Sequence, residues 1–281
     1  MMHISALLQH AQQCLSASET PRLDAEVLLA HVLQQSRTYL HTWPEREVSE
    51  PVLQQFMALL QQRQSGIPVA HLLGEREFWS LPLKVNDSTL IPRPDTELLV
   101  EKILELNLPS QARVLDLGTG TGAIALALKS ERPQWQVTAV DKSAAAVALA
   151  KANAARLQLA LQIFQSDWFS SLADEHYDLI VSNPPYIAAD DPHLQQGDVR
   201  FEPHSALVAD AAGFADLASI IHQAPDYLQP GGWLWLEHGY EQAQGCRDLL
   251  ASRGFSAVQS LRDYANLERI SYGRWRNKEA N

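Results

Sequence analysis

Residues 114–122 constrain this chain more than any other stretch. Val114-Leu115-Asp116-Leu117 is a short apolar run, and Gly118-Thr119-Gly120-Thr121-Gly122 follows it directly. Glycines in alternation let the backbone turn tightly and approach a ligand closely. An apolar-rich helix is expected next, over Ala123 to Ser130, so the segment opens as strand, turn, helix. The pattern then continues. Strands are expected at 137–141, 162–165, 179–182 and 233–237, with a turn at Pro230-Gly231-Gly232, and helices at 144–157, 217–228 and 242–253. Two further strands, near 256–263 and 267–275, close the chain. Alternation of this kind means a mostly parallel sheet with helices on both faces. Ligands in such sheets bind beyond the carboxyl ends of the strands, which is where the chemically suggestive residues of this chain fall.

The spacing of the glycine turn is G-x-G-x-G, not the G-x-G-x-x-G of dinucleotide folds. No Lys-Ser or Lys-Thr follows, so a phosphate-cradling loop is also a poor match. Asp116, just before the glycines, would be awkward beside a pyrophosphate but suits a cation such as the ammonium of an amino-acid moiety. Asp141 ends the next strand, where a carboxylate can accept from both hydroxyls of a ribose. Asp116, Gly118, Thr119, Gly120, Thr121, Gly122 and Asp141 together fit S-adenosylmethionine better than NAD. Asp167-Trp168 ends the third strand. Asp167 either accepts from an adenine amino group or caps the next element, and Trp168 either lies against the adenine face or is buried as structure.

Asn183-Pro184-Pro185-Tyr186 follows the apolar run Asp178-Leu179-Ile180-Val181-Ser182. An amide, two rigid imino acids and an aromatic ring at a strand end suit a clamp for a planar NH₂ group. Amide nitrogen is a poor nucleophile because its lone pair is delocalised. If the Asn183 side-chain oxygen and the Pro184 carbonyl accept both N–H groups, the nitrogen gains tetrahedral character. Pro184 and Pro185 stiffen the backbone so that the acceptors are pre-aimed. Tyr186 can pack on the acceptor and line the site near a cationic methyl. The clamp and the glycine turn together point to methyl transfer onto a nitrogen, with Asn183, Pro184 and Tyr186 as the catalytic set and Asn183 also close to the donor.

The remaining sequence frames this site. Residues 1–75 read as a small bundle of three to five helices. Thr20-Pro21 starts one helix, with Thr20 as cap and Leu23, Val27, Leu28 and Val32 on one face; Ser49-Glu50-Pro51 starts another, which stops at Gly66. Residues 76–94 read as a β-hairpin linker, with Asn86-Asp87 supplying turn chemistry. Asp95 or Thr96 can cap a helix running to about Leu106. Residues 95–281 form the strand–helix domain. The segment 187–213 is long for a loop and is expected to be a flap that contacts substrate. Lys142, Lys151 and Arg156 read as a solvated helix face. Cys14 and Cys246 are far apart, and no metal-ligand spacing occurs, so free thiols of a cytoplasmic protein and no metal are expected. No apolar run reaches the length of a membrane span, and Met1-Met2-His3-Ile4-Ser5 lacks the features of a signal peptide. The formal net charge is −11, which argues against stable binding to a phosphate backbone.

At the glycine turn and the clamp, the chain resembles class I, Rossmann-like methyltransferases with a seven-stranded, mostly parallel sheet. The helical amino-terminal domain, Phe78-Trp79, Ile91-Pro92-Arg93-Pro94-Asp95-Thr96-Glu97 and Arg200-Phe201-Glu202-Pro203 narrow the resemblance to the HemK/PrmC family, the protein-glutamine methyltransferases of peptide chain release factors. It covers essentially the whole chain. The resemblance implies that Gly118 to Gly122 and Asp141 bind S-adenosylmethionine, with S-adenosylhomocysteine as product and Trp168 beside the adenine. It implies that Asn183 to Tyr186 hold the glutamine of a release factor's Gly-Gly-Gln tripeptide and that the helical domain docks the factor. Arg93, Asp95, Thr96 and Glu202 either shape the pocket or serve as caps and ion pairs. Two other readings stay open on the residues alone: methylation of an exocyclic base amine in a flipped-out nucleotide, and a non-catalytic binder of S-adenosylmethionine.

Overall fold

The computed structural model describes residues 2–276, which divide into two compact units: residues 2–75 with 192–201, and residues 76–191 with 202–276. The first unit holds five helices, α1 (Ile4–Cys14), α2 (Pro21–Leu33), α3 (Arg37–Thr42), α4 (Glu50–Gln64) and α5 (Val69–Leu73). Two short strands, β1 (Met2–His3) and β2 (Glu47–Val48), pair antiparallel beside them. Leu7, Leu28, Leu29, Leu40, Phe56 and Leu60 form its core.

Helix α2 departs from the face expected from its apolar residues. Leu23 is 41% exposed, whereas Asp24 and Glu26 are buried. Both carboxylates are paired: Asp24 with Arg63 at 2.7 Å, and Glu26 with Arg22 at 2.9 Å and Arg37 at 2.7 Å. Burying a charge is tolerable only with such partners, so the paired acids rotate the helix away from the apolar register. Thr20 does not cap α2 through its side chain; its hydroxyl donates to Asp24 at 2.9 Å instead. Arg63 also donates to Asp198 at 2.7 Å, which ties the segment 192–201 into this unit. The stretch 187–213 is built of short turns rather than open loop, with 3-10 turns at Pro192–Gln195 and Val199–Phe201, the brief helix α9 (His204–Leu207) and α10 (Asp210–Gly213), a single left-handed turn with Ala211 and Ala212 at φ of 52° and 54°.

The second unit begins with the hairpin strands, β3 (Glu75–Phe78) and β4 (Leu81–Lys84). Its turn is Trp79-Ser80, with φ of 52° and 58°, and not Asn86-Asp87. Two successive positive φ values favour Asn or Gly. The strain at Trp79 is offset by its backbone N–H donating to Glu97 and its indole N–H to Glu131, each at 2.9 Å. Helix α6 (Asp95–Leu104) follows, then β5 (Arg113–Leu117), α7 (Ala123–Glu131), β6 (Gln136–Asp141), α8 (Ala144–Leu157), β7 (Gln162–Gln165) and β8 (Tyr177–Ser182). Helix α11 (Ala215–Gln223), β9 (Leu228–Glu237), α12 (Ala243–Arg253), β10 (Phe255–Arg262) and β11 (Glu268–Trp275) complete it.

The seven strands lie in the order β10-β11-β9-β8-β5-β6-β7, with β11 antiparallel to both neighbours. This is the expected Rossmann-like sheet. Pro230-Gly231-Gly232 does not precede β9 as a turn but lies within it, where the register against β8 jumps from Tyr177↔Leu228 to Leu179↔Trp233. Gly231 takes φ +84° there, so the glycines form a bulge. Helix α6 has Pro94 at its cap position and no side-chain cap bond; neither Asp95 nor Thr96 serves as cap, because both lie inside the first turn.

Asn153 on α8 is wholly buried and joins three pieces of this unit. Its oxygen accepts from the Lys84 N–H at 2.7 Å, and its nitrogen donates to the carbonyls of Lys84 at 3.0 Å and Thr121 at 2.9 Å. The hairpin and the glycine turn are therefore held by one amide. Asn153→Ala is expected to lower the unfolding free energy by about 2–3 kcal/mol, since buried backbone groups lose their partners. Urea unfolding of variant and wild type measures this, and a loss below about 0.5 kcal/mol would count against the role.

Candidate active site

Strand order builds the site. The chain runs from β5 outward through β6 and β7, then returns to the other side of β5 as β8. The carboxyl ends of β5 and β8 flank that reversal, the place where open α/β sheets bind ligands. Leu117 pairs with Ser182 across it, and the Ser182 hydroxyl donates to the Leu117 carbonyl at 2.7 Å. The glycine turn leaves one strand end and Asn183 leaves the other. A cleft lies above them.

Gly118, Thr119, Gly120, Thr121, Asp141, Asp167, Trp168, Asn183 and Pro185 all face this cleft. Gly118 and Gly120 have φ of +70° and +56°. A Cβ on Gly118 would come within 3.3 Å of the Trp168 ring, so the bare backbone is what lets the indole lie over the turn. The Trp168 indole is further held by a hydrogen bond to Asp216. Asp141 accepts from the Gly120 N–H at 2.9 Å through one oxygen and from the Ser143 N–H at 2.8 Å through the other. A carboxylate has room for about four hydrogen bonds, so both oxygens retain capacity for hydroxyl donors. Thr89, from the segment after the hairpin, is 1% exposed with no partner for its hydroxyl among the described residues, and it lines the same cleft. An elongated ligand with a sugar diol and a flat ring fits this set of groups.

Other expected residues sit behind the wall. Gly122 packs its backbone against Leu126 and Ala150. Pro184 is buried, and Tyr186 lies among the core side chains on the other face of the sheet. Gln242 donates to the Tyr186 carbonyl at 3.1 Å, and Gly213 packs so closely on that carbonyl that a Cβ would meet it at 2.2 Å. The clamp backbone is thus gripped from two sides. Burial pushes the Tyr186 phenol well above its ordinary range, so it stays neutral.

Lys142, Ser205 and Ala206 had no signal in the sequence as cleft residues, whereas Arg93 and Thr96 were already candidates to shape the pocket. Lys142 is exposed, as expected, but it lines the cleft from just before α8, and Ser205 and Ala206 reach it from α9. Arg93 lines it too and forms an ion pair with the buried Glu202 at 2.7 Å. Thr96 turns its hydroxyl to Asn183, whose Nδ2 donates to it at 3.3 Å. Glu237, at the end of β9, is 4% exposed and hydrogen-bonds Thr96 and Asn183. It was visible only as the last residue of a strand, because its partners lie far away in sequence.

Asp116 is beneath the turn and not in the cleft wall. One oxygen accepts from the Thr119 hydroxyl at 2.6 Å and the Ala125 N–H at 3.3 Å; the other has no hydrogen-bond partner among the described residues. Burial pushes its pKa up to about 7, with the Thr119 and Ala125 hydrogen bonds opposing the shift and the nearby Asp141 charge adding to it. An acid with a folded pKa above its unfolded one binds its proton more tightly when folded. Its contribution to stability is greatest below about pH 4 and is lost as pH rises towards about 7. Asp116→Asn removes that slope. The melting temperature of the variant minus that of the wild type should therefore rise between about pH 4 and about pH 7, and a flat difference curve would contradict this account.

Two family models match the sequence, Methyltransferase small domain over residues 93–200 and PrmC N-terminal domain over residues 6–74. The release factor glutamine methyltransferase of Shewanella oneidensis is 57% identical over 274 residues, spanning 97% of this chain and 96% of that protein. Its counterpart from Escherichia coli strain K12 is 53% identical over 270 residues, spanning 95% and 97%. A solved methyltransferase from Pyrococcus furiosus aligns with a TM-score of 0.55 at 18% identity, over 79% of this chain and 98% of the other, which shows the shared fold. Identity at this level along nearly the full length of both sequences places this chain in the release factor glutamine methyltransferase family.

Proposed function

We propose that this protein transfers the methyl group of S-adenosylmethionine to the side-chain amide nitrogen of a release-factor glutamine, the one in the factor's Gly-Gly-Gln tripeptide, with S-adenosylhomocysteine as the other product. The observation that carries the reading is the placement of Asn183 and the glycine turn on one cleft from adjacent strand ends. With its Nδ2 donated to Thr96, Asn183 has its oxygen left for an acceptor N–H.

On the donor side, Gly118 to Gly122 would hold the methionyl part, Asp141 the ribose hydroxyls, and Asp167 with Trp168 the adenine. Asp116 would act from below by holding Thr119 and the first turn of α7. On the acceptor side, the Asn183 oxygen and the Pro184 carbonyl would take the two N–H groups of the glutamine. That arrangement draws the nitrogen towards tetrahedral geometry, with its lone pair facing the sulfonium methyl. Displacement at the methyl carbon forms the N–C bond as the C–S bond breaks. The nitrogen's proton becomes acidic once the new bond forms, so no base need act first. Proximity and orientation carry most of the barrier lowering, and Pro185 and the half-buried Tyr186 hold the clamp rigid.

The helical unit would dock the release factor, and the 187–213 stretch would meet it near the cleft through Ser205 and Ala206. The net charge of −11 favours a protein substrate over stable nucleic-acid binding. No helix among the described residues is long and apolar enough to cross a membrane, and action in the cytoplasm belongs to the same proposal.

Incubation with labelled S-adenosylmethionine and either purified release factor or bare rRNA and DNA tests the reading. Label is expected on the release factor alone, at its Gly-Gly-Gln glutamine; label only on nucleic acid would overturn it. Asn183→Ala should lower turnover by roughly 10²–10³-fold, the usual cost of removing an aimed polar group. Its affinity for S-adenosylmethionine, read by calorimetry, should change little, and equal loss of both would make Asn183 chiefly a donor ligand.

A further inference from the structure

Asn183 helps an acceptor NH₂ only if its amide is the right way round. Its oxygen must face the cleft, because its own NH₂ there would oppose the substrate's N–H groups donor to donor. The two ends of an amide are nearly the same size, so packing alone does not choose between them. Hydrogen bonding does. The Thr96 hydroxyl has one proton and accepts from Asn183 Nδ2 at 3.3 Å. That proton goes to the Glu237 carboxylate, which Asn183 also reaches. An ionised carboxylate only accepts. A flipped Asn183 would set its oxygen against the Thr96 oxygen and the Glu237 carboxylate.

Glu237 is itself fixed. It closes β9, pairs with Ile270 of β11 and is 4% exposed. The next residue, His238, is buried between the Gly239 carbonyl at 2.8 Å and the Ser271 hydroxyl at 2.7 Å, which pins the strand end. The charged and titratable groups facing the carboxylate are Asp95 from α6, Arg269 from β11 and Tyr186 from the clamp.

We propose that Glu237 is a positioning residue for methyl transfer: through the Thr96 hydroxyl it holds the Asn183 amide with its oxygen towards the acceptor nitrogen. The proposal rests on the clamp reading above. Burial pushes the Glu237 carboxyl up to about 7, with the Thr96 hydrogen bond and the Arg269 charge opposing the shift. Ionised Glu237 holds the relay; protonated Glu237 can itself donate to Thr96 and release it. Turnover should therefore fall as pH drops below about 7.

The test compares wild type, Glu237→Gln, Thr96→Val and Thr96→Ser at saturating S-adenosylmethionine and release factor from pH 5.5 to 9. Glu237→Gln and Thr96→Val should lose about 10- to 100-fold in kcat, the usual cost of removing the group that orients a working side chain. Affinity for S-adenosylmethionine should stay within about twofold by calorimetry, and the KM for the release factor should move less than kcat. Thr96→Ser keeps the hydroxyl and should retain most turnover. Glu237→Gln should also lose the acid limb of the wild-type profile. Wild-type kcat and pH profile in Glu237→Gln would overturn the proposal, as would equal losses in Thr96→Ser and Thr96→Val. If Glu237→Gln does not fold, the Thr96 pair decides. A wild type that methylates some other planar NH₂ group displaces the functional reading, and the same comparison on that acceptor still decides the role of Glu237.

Discussion

The parallel pairing of β5 with β8 is the contact on which the site depends. It brings Leu117 level with Ser182, and the Ser182 hydroxyl to the Leu117 carbonyl locks the two strand ends together. Everything chemical then follows from what each strand does next. One breaks into glycines that take positive φ; the other runs into Asn183 and two prolines. Parallel strands need a crossover, and the long excursion through β6 and β7 supplies Asp141, Asp167 and Trp168 on the way. A shift of one residue in this register would turn each strand's side chains to the opposite face and remove Asn183 from the cleft.

Buried carboxylates are the expensive part of this design. Asp116 and Glu237 are both almost fully buried, and burial pushes both to about 7. Each stands behind the cleft wall and holds a threonine: Asp116 holds Thr119 of the glycine turn, and Glu237 holds Thr96 at the start of α6. In both places a buried acid fixes the hydroxyl of a threonine that lines the cleft. In the helical unit the buried acids Asp24 and Glu26 are handled differently, with arginine partners. The contrast is physical. An ion pair neutralises a charge, whereas a hydroxyl transmits direction without cancelling it.

The sheet and its strand ends were legible in the sequence because period and punctuation agree there: apolar runs of strand length, glycines directly after, then helix formers. The departures have identifiable causes. Trp79-Ser80 carries neither Gly nor Asn, and its positive φ values persist because Glu97 and Glu131, distant in sequence, accept from Trp79. Leu23 satisfied an apolar period that the ion-paired Asp24 and Glu26 overrode. Pro230-Gly231-Gly232 has turn composition, yet it is a bulge because β9 must change register against β8. Lys142 is exposed, as its charge suggested, yet it stands at the cleft rather than on a helix because Asp141 ends β6 just before it.

The amino-acid sequence by itself determined the alternating architecture, the glycine turn and the Asn-Pro-Pro-Tyr stretch at a strand end, because each is written in adjacent residues with short-range backbone preferences. It could name Asn183 but not the direction of its amide, and it could name Asp116 but not that the carboxylate lies under the turn. Tertiary structure decided those, by bringing Thr96, Asn183 and Glu237 from three separate elements into one hydrogen-bonded group. The reason is that hydrogen-bond direction and desolvation depend on what surrounds a group in space, and no local pattern in the chain encodes that surrounding.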